Sequence, residues 1–174
     1  IDRYGEFSVI QANTLAMDMH LEEIASILIT LVTPDEIIIR NDAPTRKYEG
    51  LEQKVYSFSG KTIDERQVNI DGIEYLLSFN EGNKTGYYLD QRENRARVAA
   101  FSAGADVLNC FAYTGGFGLQ ALNAGAEHLV NVETSPEAVD ILQRQLALNG
   151  LDIHAVENIG TDVFQALRSF RDTR

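Results

Sequence analysis

The rhythm of residues 105–171 constrains this chain more than any other feature, because short apolar runs alternate there with longer segments at helical spacing. Ala105–Phe111 reads as an apolar strand, Gly116–Ala124 as a helix ended by Gly125, and His128–Val132 as the next strand. Pro136–Leu148 reads as a helix with proline in its first turn, where a missing N–H is no loss, and Asn149-Gly150 as its stop. Ala155–Asn158 and Val163–Arg171 continue the series as a third strand and a last helix. Alternation of this kind predicts right-handed βαβ units, hence a parallel sheet with helices on both faces. Gln91–Ala103, closed by Gly104, is expected as a helix leading into that sheet.

The residues before it keep a different pattern. Leu21–Leu31 is apolar at helical spacing, with Glu22 and Glu23 near its start, where the helix dipole favours negative charge. Glu36–Arg40 reads as a short buried strand, and Asn41-Asp42-Ala43-Pro44 as a turn, since Pro44 disfavours helix in the residue before it. Val55–Phe58, Gln67–Ile70 and Ile73–Phe79 are strand-like, separated by Ser59-Gly60 and Asp71-Gly72. The second of these is a hairpin signal, because a type I′ turn needs positive φ at both central residues. The expectation is an α/β chain: a small α+β domain over residues 1–80 and the parallel half-sheet over 81–174, with the boundary between Asn80 and Gly86.

Charge and composition limit the function classes. The 174 residues suffice for one large or two small domains. They carry 15 basic against 26 acidic side chains, with 7 and 14 in residues 1–80 and 8 and 12 in residues 81–174, which excludes a broad phosphate-gripping face. No apolar stretch approaches the about 18 residues that cross a bilayer; the best candidate, Ile24–Val32, is too short. With Ile at position 1 and no charged leader before an apolar run, the chain reads as a piece of a longer protein without a targeting segment. The single Cys110 excludes an internal disulfide, fits a reducing compartment, and places the expected location in the cytoplasm.

The turn after the first parallel strand runs Asn109-Cys110-Phe111-Ala112-Tyr113-Thr114-Gly115-Gly116-Phe117-Gly118. A nucleotide-type ligand needs glycines that let the backbone approach it and helix N–H groups that face it, and Gly115-Gly116 can supply the first. An ordinary tight turn explains the same residues, and there is no G-x-G-x-x-G fingerprint. Glu133 closes the second strand 24 residues after Asn109, where a carboxylate can accept from both ribose hydroxyls. Its plain role is a carboxylate ahead of Pro136, a job Thr134 or Ser135 fills as well. Asp162, after the third strand, could take an adenine amino group, or Thr161 or Asp162 could simply cap the last helix. Three acceptor positions on successive strand ends describe an adenosine pocket better than any one of them describes a cap.

Lys84-Thr85-Gly86-Tyr87-Tyr88-Leu89-Asp90-Gln91-Arg92-Glu93-Asn94-Arg95, followed by the Asn109–Phe117 turn, resembles the bacterial 23S ribosomal RNA cytosine-5 methyltransferase I family. Asp42-Ala43-Pro44 and Tyr48-Glu49-Gly50-Leu51 resemble its central domain, so the likeness covers most of the chain. The resemblance implies an incomplete Rossmann-like class I methyltransferase sheet that binds S-adenosylmethionine. It implies cofactor contacts at Tyr88 and Gln91 in the first motif, and at Asn109, Phe111, Tyr113, Thr114, Gly115 and Gly116 in the second. Glu133 would hold ribose, Thr134 and Ser135 beside it would be further cofactor contacts, and Asp162 with the Val163 backbone would hold adenine.

Two parts of that family are missing from this sequence. The N-terminal PUA domain is one; the other is everything after the third βα unit, including the Asp-Pro-Pro segment and the cysteine that attacks cytosine C6. Methylation at C5 needs that covalent adduct, so no catalytic residue is expected here. The grip on ribosomal RNA, the expected partner of the intact enzyme, lies outside this stretch or in a local patch. Cys110 reads as a small buried strand residue, and His20, His128 and His154 lack metal-ligand spacing, so no metal is expected. Arg92 and Arg95 share a helix face that could meet RNA or a cofactor carboxylate, or pair with local acids. Tyr87 and Tyr88 could stack on a base, although adjacent aromatics in a strand usually put one in the core. An exposed edge strand predicts a homodimer, and the lack of a bilayer-length apolar stretch predicts no membrane partner. The rivals are an NAD-type oxidoreductase, which uses the same half-sheet and ribose carboxylate, and a binding or assembly module that keeps the fold without the chemistry.

Overall fold

The computed structural model describes residues 1–62, 65–79 and 85–172. The expected boundary at Asn80 and the Lys84 start of the first motif lie outside the described residues. The chain divides into two compact units, Ile1–Ile70 with Leu77–Leu89, and Asp71–Leu76 with Asp90–Arg174.

The first unit opens with β1 (Asp2–Tyr4) and β2 (Phe7–Ile10), an antiparallel pair turned at Gly5. Two helices follow, α1 (Leu15–Met19), capped by the Thr14 hydroxyl, and α2 (Leu21–Val32). They carry the chain to β3 (Glu36–Asn41), which lies parallel to β2, and β4 (Lys54–Ser57) then returns antiparallel to β3. α2 buries Leu21 and Ala25 against Ile10, Ala12, Ile37 and Ile39, with Ile24 and Leu28 packed alongside. Strand β3 extends one residue past the expected end at Arg40, to Asn41, the first residue of the expected turn, and Pro44 opens a short 3-10 helix, Pro44–Glu49. That helix is anchored by Arg46, buried at 1% exposure, which donates to the Ala12 carbonyl, to Glu52 O at 2.9 Å and to Asp18 Oδ1 at 2.8 Å.

The hairpin of β5 (Arg66–Ile70) and β6 (Ile73–Leu77) turns where the sequence indicated, with φ of 55° at Asp71 and 84° at Gly72. Tyr87 is buried and Tyr88 half-buried, but they lie in a bend rather than a strand, so pleat alternation does not govern them.

The second unit holds a three-stranded parallel sheet in the order β7 (Asp106–Cys110), β8 (His128–Glu133), β9 (Val156–Gly160). Helix α4 (Gly116–Asn123) joins β7 to β8, α5 (Pro136–Leu148) joins β8 to β9, and α6 (Val163–Asp172) follows. Alternation along β8 decides which helix covers which face. Val132 packs with Val163 and Ala166 of α6, while Leu129 and Asn131 face α4. There Gly118 permits the approach, since a Cβ at that position would stand 2.8 Å from both Asn131 Oδ1 and Leu129 Cδ2. On the α4 face an amide ladder crosses the sheet, Asn109 donating to Asn131 and Asn131 to Asn158, both at 2.9 Å. The leading helix is shorter than expected: α3 (Arg92–Ala99) follows a 3-10 turn, Leu89–Gln91. It stops because the Ser102 hydroxyl takes the Val98 carbonyl and the Phe101 and Ser102 N–H groups make turn bonds instead. Among the described residues, no helix is long and apolar enough to cross a membrane.

Candidate functional site

Ligands of open parallel sheets bind beyond the carboxyl ends of the strands, and the backbone is most constrained there. Between β7 and α4, φ is positive at Phe111 (57°), Tyr113 (49°) and Gly115 (87°). The two non-glycine residues each cost about 1–2 kcal/mol in this region, so the turn persists only because its neighbours hold it. Ala112 N–H donates to Val132 O at 3.0 Å and Gly115 N–H to Ala112 O at 2.9 Å. Gly115 cannot carry a side chain without cost: besides its φ, a Cβ would meet Leu142 Cγ at 2.9 Å.

Glu133 turns toward this loop. Its Oε2 accepts from Tyr113 N–H at 2.7 Å, and its Oε1 from Thr134 N–H at 2.8 Å, Ser135 N–H at 3.0 Å and the Thr134 hydroxyl at 3.3 Å. Partial burial raises the carboxyl pKa, but the backbone bonds from Ser135, Tyr113 and Thr134 outweigh it and hold Glu133 below the ordinary glutamate value. Glu133 therefore joins the turn after β7 to the turn after β8 as an anion. The capping of α5 falls to Ser135, whose hydroxyl accepts from Ala138 N–H at 3.1 Å.

The other expected site residues divide. Thr114 is buried, and its carbonyl accepts from Gln145 Nε2. Gly115 is the cap and Gly116 the first residue of α4. Asn109 spends its Nδ2 on the amide ladder. Asp162 is exposed and caps α6 through Gln165 N–H at 3.0 Å, the plainer of its two roles, while the Val163 side chain is core. Gln91 accepts from Asn94 at 2.8 Å, and Tyr88 belongs to the first unit. Phe111, 64% exposed, makes an edge contact at 6.0 Å with Phe164, itself 60% exposed, which brings the turn after β9 to the turn after β7.

Phe164, Gln145 and Asn131 escaped the sequence reading; an aromatic two residues past Asp162 was the one available signal. Arg92 and Arg95 present no common surface: Arg92 pairs with Asp71 and Arg95 is buried at 2%. The local-acid alternative applies to Arg92, because α3 packs its Arg95 side inward. Cys110 is half-buried. His128 and His20 pair with Asp106 and Glu23. Among the described residues, no group of three or more metal-ligating side chains converges.

Residues 46–173 match the profile of the S-adenosylmethionine-dependent methyltransferases. The chain belongs to this family. It is 41% identical over 173 residues to the ribosomal RNA large subunit methyltransferase I of Aeromonas salmonicida (strain A449), covering 99% of this chain and 44% of that protein. The enzyme of the same name from Escherichia coli O127:H6 is 38% identical over 173 residues, with the same coverage. The chain thus spans less than half the length of the curated relatives it matches. Among solved structures, a Streptococcus mutans protein assigned as a SAM-dependent methyltransferase superposes with a TM-score of 0.81 at 23% identity, covering 98% of this chain and 44% of its own. Another assigned methyltransferase, solved with S-adenosylhomocysteine (SAH), gives 0.81 at 22% identity, covering 98% and 43%. These likenesses agree with the methyltransferase-type sheet seen here, and the family profile makes S-adenosylmethionine the cofactor of the family.

Proposed function

We propose that this chain is the cofactor-holding part of a methyltransferase that modifies large-subunit ribosomal RNA in the cytoplasm, with cytosine C5 as the position modified. The names of its relatives support the RNA, and the motifs that resemble the cytosine-5 family support the base. The observation that carries the reading is the Glu133 carboxylate, anionic and bonded to Tyr113 N–H across the two strand ends. A carboxylate offers about four acceptor positions. Backbone N–H groups take three, and the fourth bond, from the Thr134 hydroxyl at 3.3 Å, is weak enough for a ribose hydroxyl to displace.

The residues present fit an adenosyl ligand. Tyr113, Thr114, Gly115 and Gly116 offer backbone at the α4 N-terminus for its methionine end, with Phe111 beside them. Thr134 and Ser135 flank the ribose. Asp162, the Val163 backbone and the exposed Phe164 ring receive adenine, and Asn109 and Gln91 complete the expected contacts within the second unit. When bound, the cofactor supplies an electrophilic methyl group. The chain's own residues bind and orient it, and no residue here attacks the base. The domain boundary expected near Asn80 and an association of two copies through an edge of the β7-β8-β9 sheet belong to the same reading.

Titration calorimetry with S-adenosylmethionine, SAH and NAD tests it. Heat with both adenosyl ligands and none with NAD is expected. A folded sample that binds neither adenosyl ligand would refute the reading, and binding of NAD alone would return the site to the oxidoreductases.

A further inference from the structure

Gln145 of helix α5 and Asn149, its C-cap, carry amide side chains one turn apart, and both reach backbone. Asn149 accepts from Glu74 N–H and donates to Glu74 O, each at 2.8 Å, as a neighbouring strand would. Gln145 accepts from Leu76 N–H at 3.1 Å. Four helical residues rise about 6 Å and two strand residues about 6.7 Å, so the pair keeps register with β6.

Closing the edge of β6 does not account for the rest of Gln145. Its side chain is wholly buried, at 0% exposure, and its Nε2 points away from β6 to donate to the Thr114 carbonyl. The Thr114 peptide lies between Tyr113 at φ 49° and Gly115 at φ 87°, the most strained part of the turn. Glu133 holds this turn from β8, through Tyr113 N–H, and Gln145 holds it from α5. The Thr114 carbonyl shares its peptide plane with Gly115 N–H, which closes the turn onto Ala112 O at 2.9 Å, so rotation of that carbonyl would open the turn that presents Tyr113 N–H to Glu133.

We infer that Gln145 is a positioning residue for the cofactor loop: it fixes the Thr114 peptide so that Tyr113 N–H and the Glu133 carboxylate present one preformed surface to the ligand. This rests on the reading of that surface as the adenosyl site. Asn149 provides the control, because it touches β6 and the α5 backbone but not the loop.

The test measures SAH affinity, melting temperature and the Tyr113 amide proton shift in the wild type, Gln145→Met, Gln145→Leu and Asn149→Ala. Gln145→Met conserves volume and removes both bonds. Gln145→Leu removes the same bonds with a shorter apolar side chain and no buried charge, so it serves if the first variant fails to fold. Both Gln145 variants should weaken SAH binding about tenfold, the worth of one buried hydrogen bond, and shift the Tyr113 amide. Asn149→Ala should lower the melting temperature and do neither. SAH affinity within twofold of wild type, with the Tyr113 amide unmoved, in a folded Gln145 variant would overturn the inference. A wild type that fails to bind SAH would instead refute the adenosyl reading, and the Tyr113 shift would still decide whether Gln145 holds the loop.

Discussion

Replacing Glu133 with alanine removes the acceptor shared by three backbone N–H groups and, on the reading above, by a ribose hydroxyl. Thr134 is exposed and Ser135 only part-buried, so water can reach the N–H groups they lose. Tyr113 is half-buried and loses the bond that offsets its left-handed backbone. The stability cost should be about 1–2 kcal/mol, short of unfolding a domain with about 5–15 kcal/mol in hand. Binding loses a charge-assisted bond worth about 1–3 kcal/mol, roughly 5- to 150-fold in Kd. Titration calorimetry with SAH reads the change in Kd, and urea unfolding followed by circular dichroism reads the stability cost. An unchanged Kd would show that the ribose sits elsewhere.

Further outcomes follow from the same contacts. Because Glu133 titrates below its ordinary value of 4.5 when folded, its stabilisation is complete above about pH 4.5 and is lost as the pH falls through the lower folded value. The stability gap between wild type and Glu133→Gln should therefore narrow on acidification; urea midpoints that keep a constant gap from pH 7 down to 3 would contradict it. Gly118→Ala should destabilise the second unit by about 1–3 kcal/mol, since the new methyl meets Asn131 and Leu129 at 2.8 Å; an unchanged urea midpoint would mean that α4 lifts freely. Arg46→Met should cost the first unit roughly 3 kcal/mol by leaving Asp18 without its buried partner, read as a fall in melting temperature. Phe164→Ala should weaken SAH binding by about 0.5–1.5 kcal/mol and, the ring being 60% exposed, leave stability nearly unchanged.

Elements bounded by local chemistry were legible. Pro136 and Asn149-Gly150 delimit α5, Gly125 ends the segment after α4, and Asp71-Gly72 turns the hairpin, each through a backbone preference its own residues carry. The first 19 residues were not legible: β1, β2 and α1 have three, four and five residues, and β2 is defined by its distant parallel partner β3. Arg95 and Gln145 show the same limit in side chains. Each is polar on a helix and reads as solvent-facing, and only tertiary neighbours bury it. At the site, Glu133 and the glycine turn were visible because spacing along two strands is a local property. Phe164 and the Asn131 ladder required the sheet to be assembled first.

The most direct test of the convergence of the two strand ends on one adenosyl molecule is a crystal structure of the protein grown with SAH. The Glu133 carboxylate should then lie about 2.6–3.2 Å from a ribose hydroxyl, in place of its Thr134 hydroxyl contact, with the methionine end over Tyr113–Gly115. SAH bound elsewhere, with all four Glu133 contacts unchanged, would contradict the account.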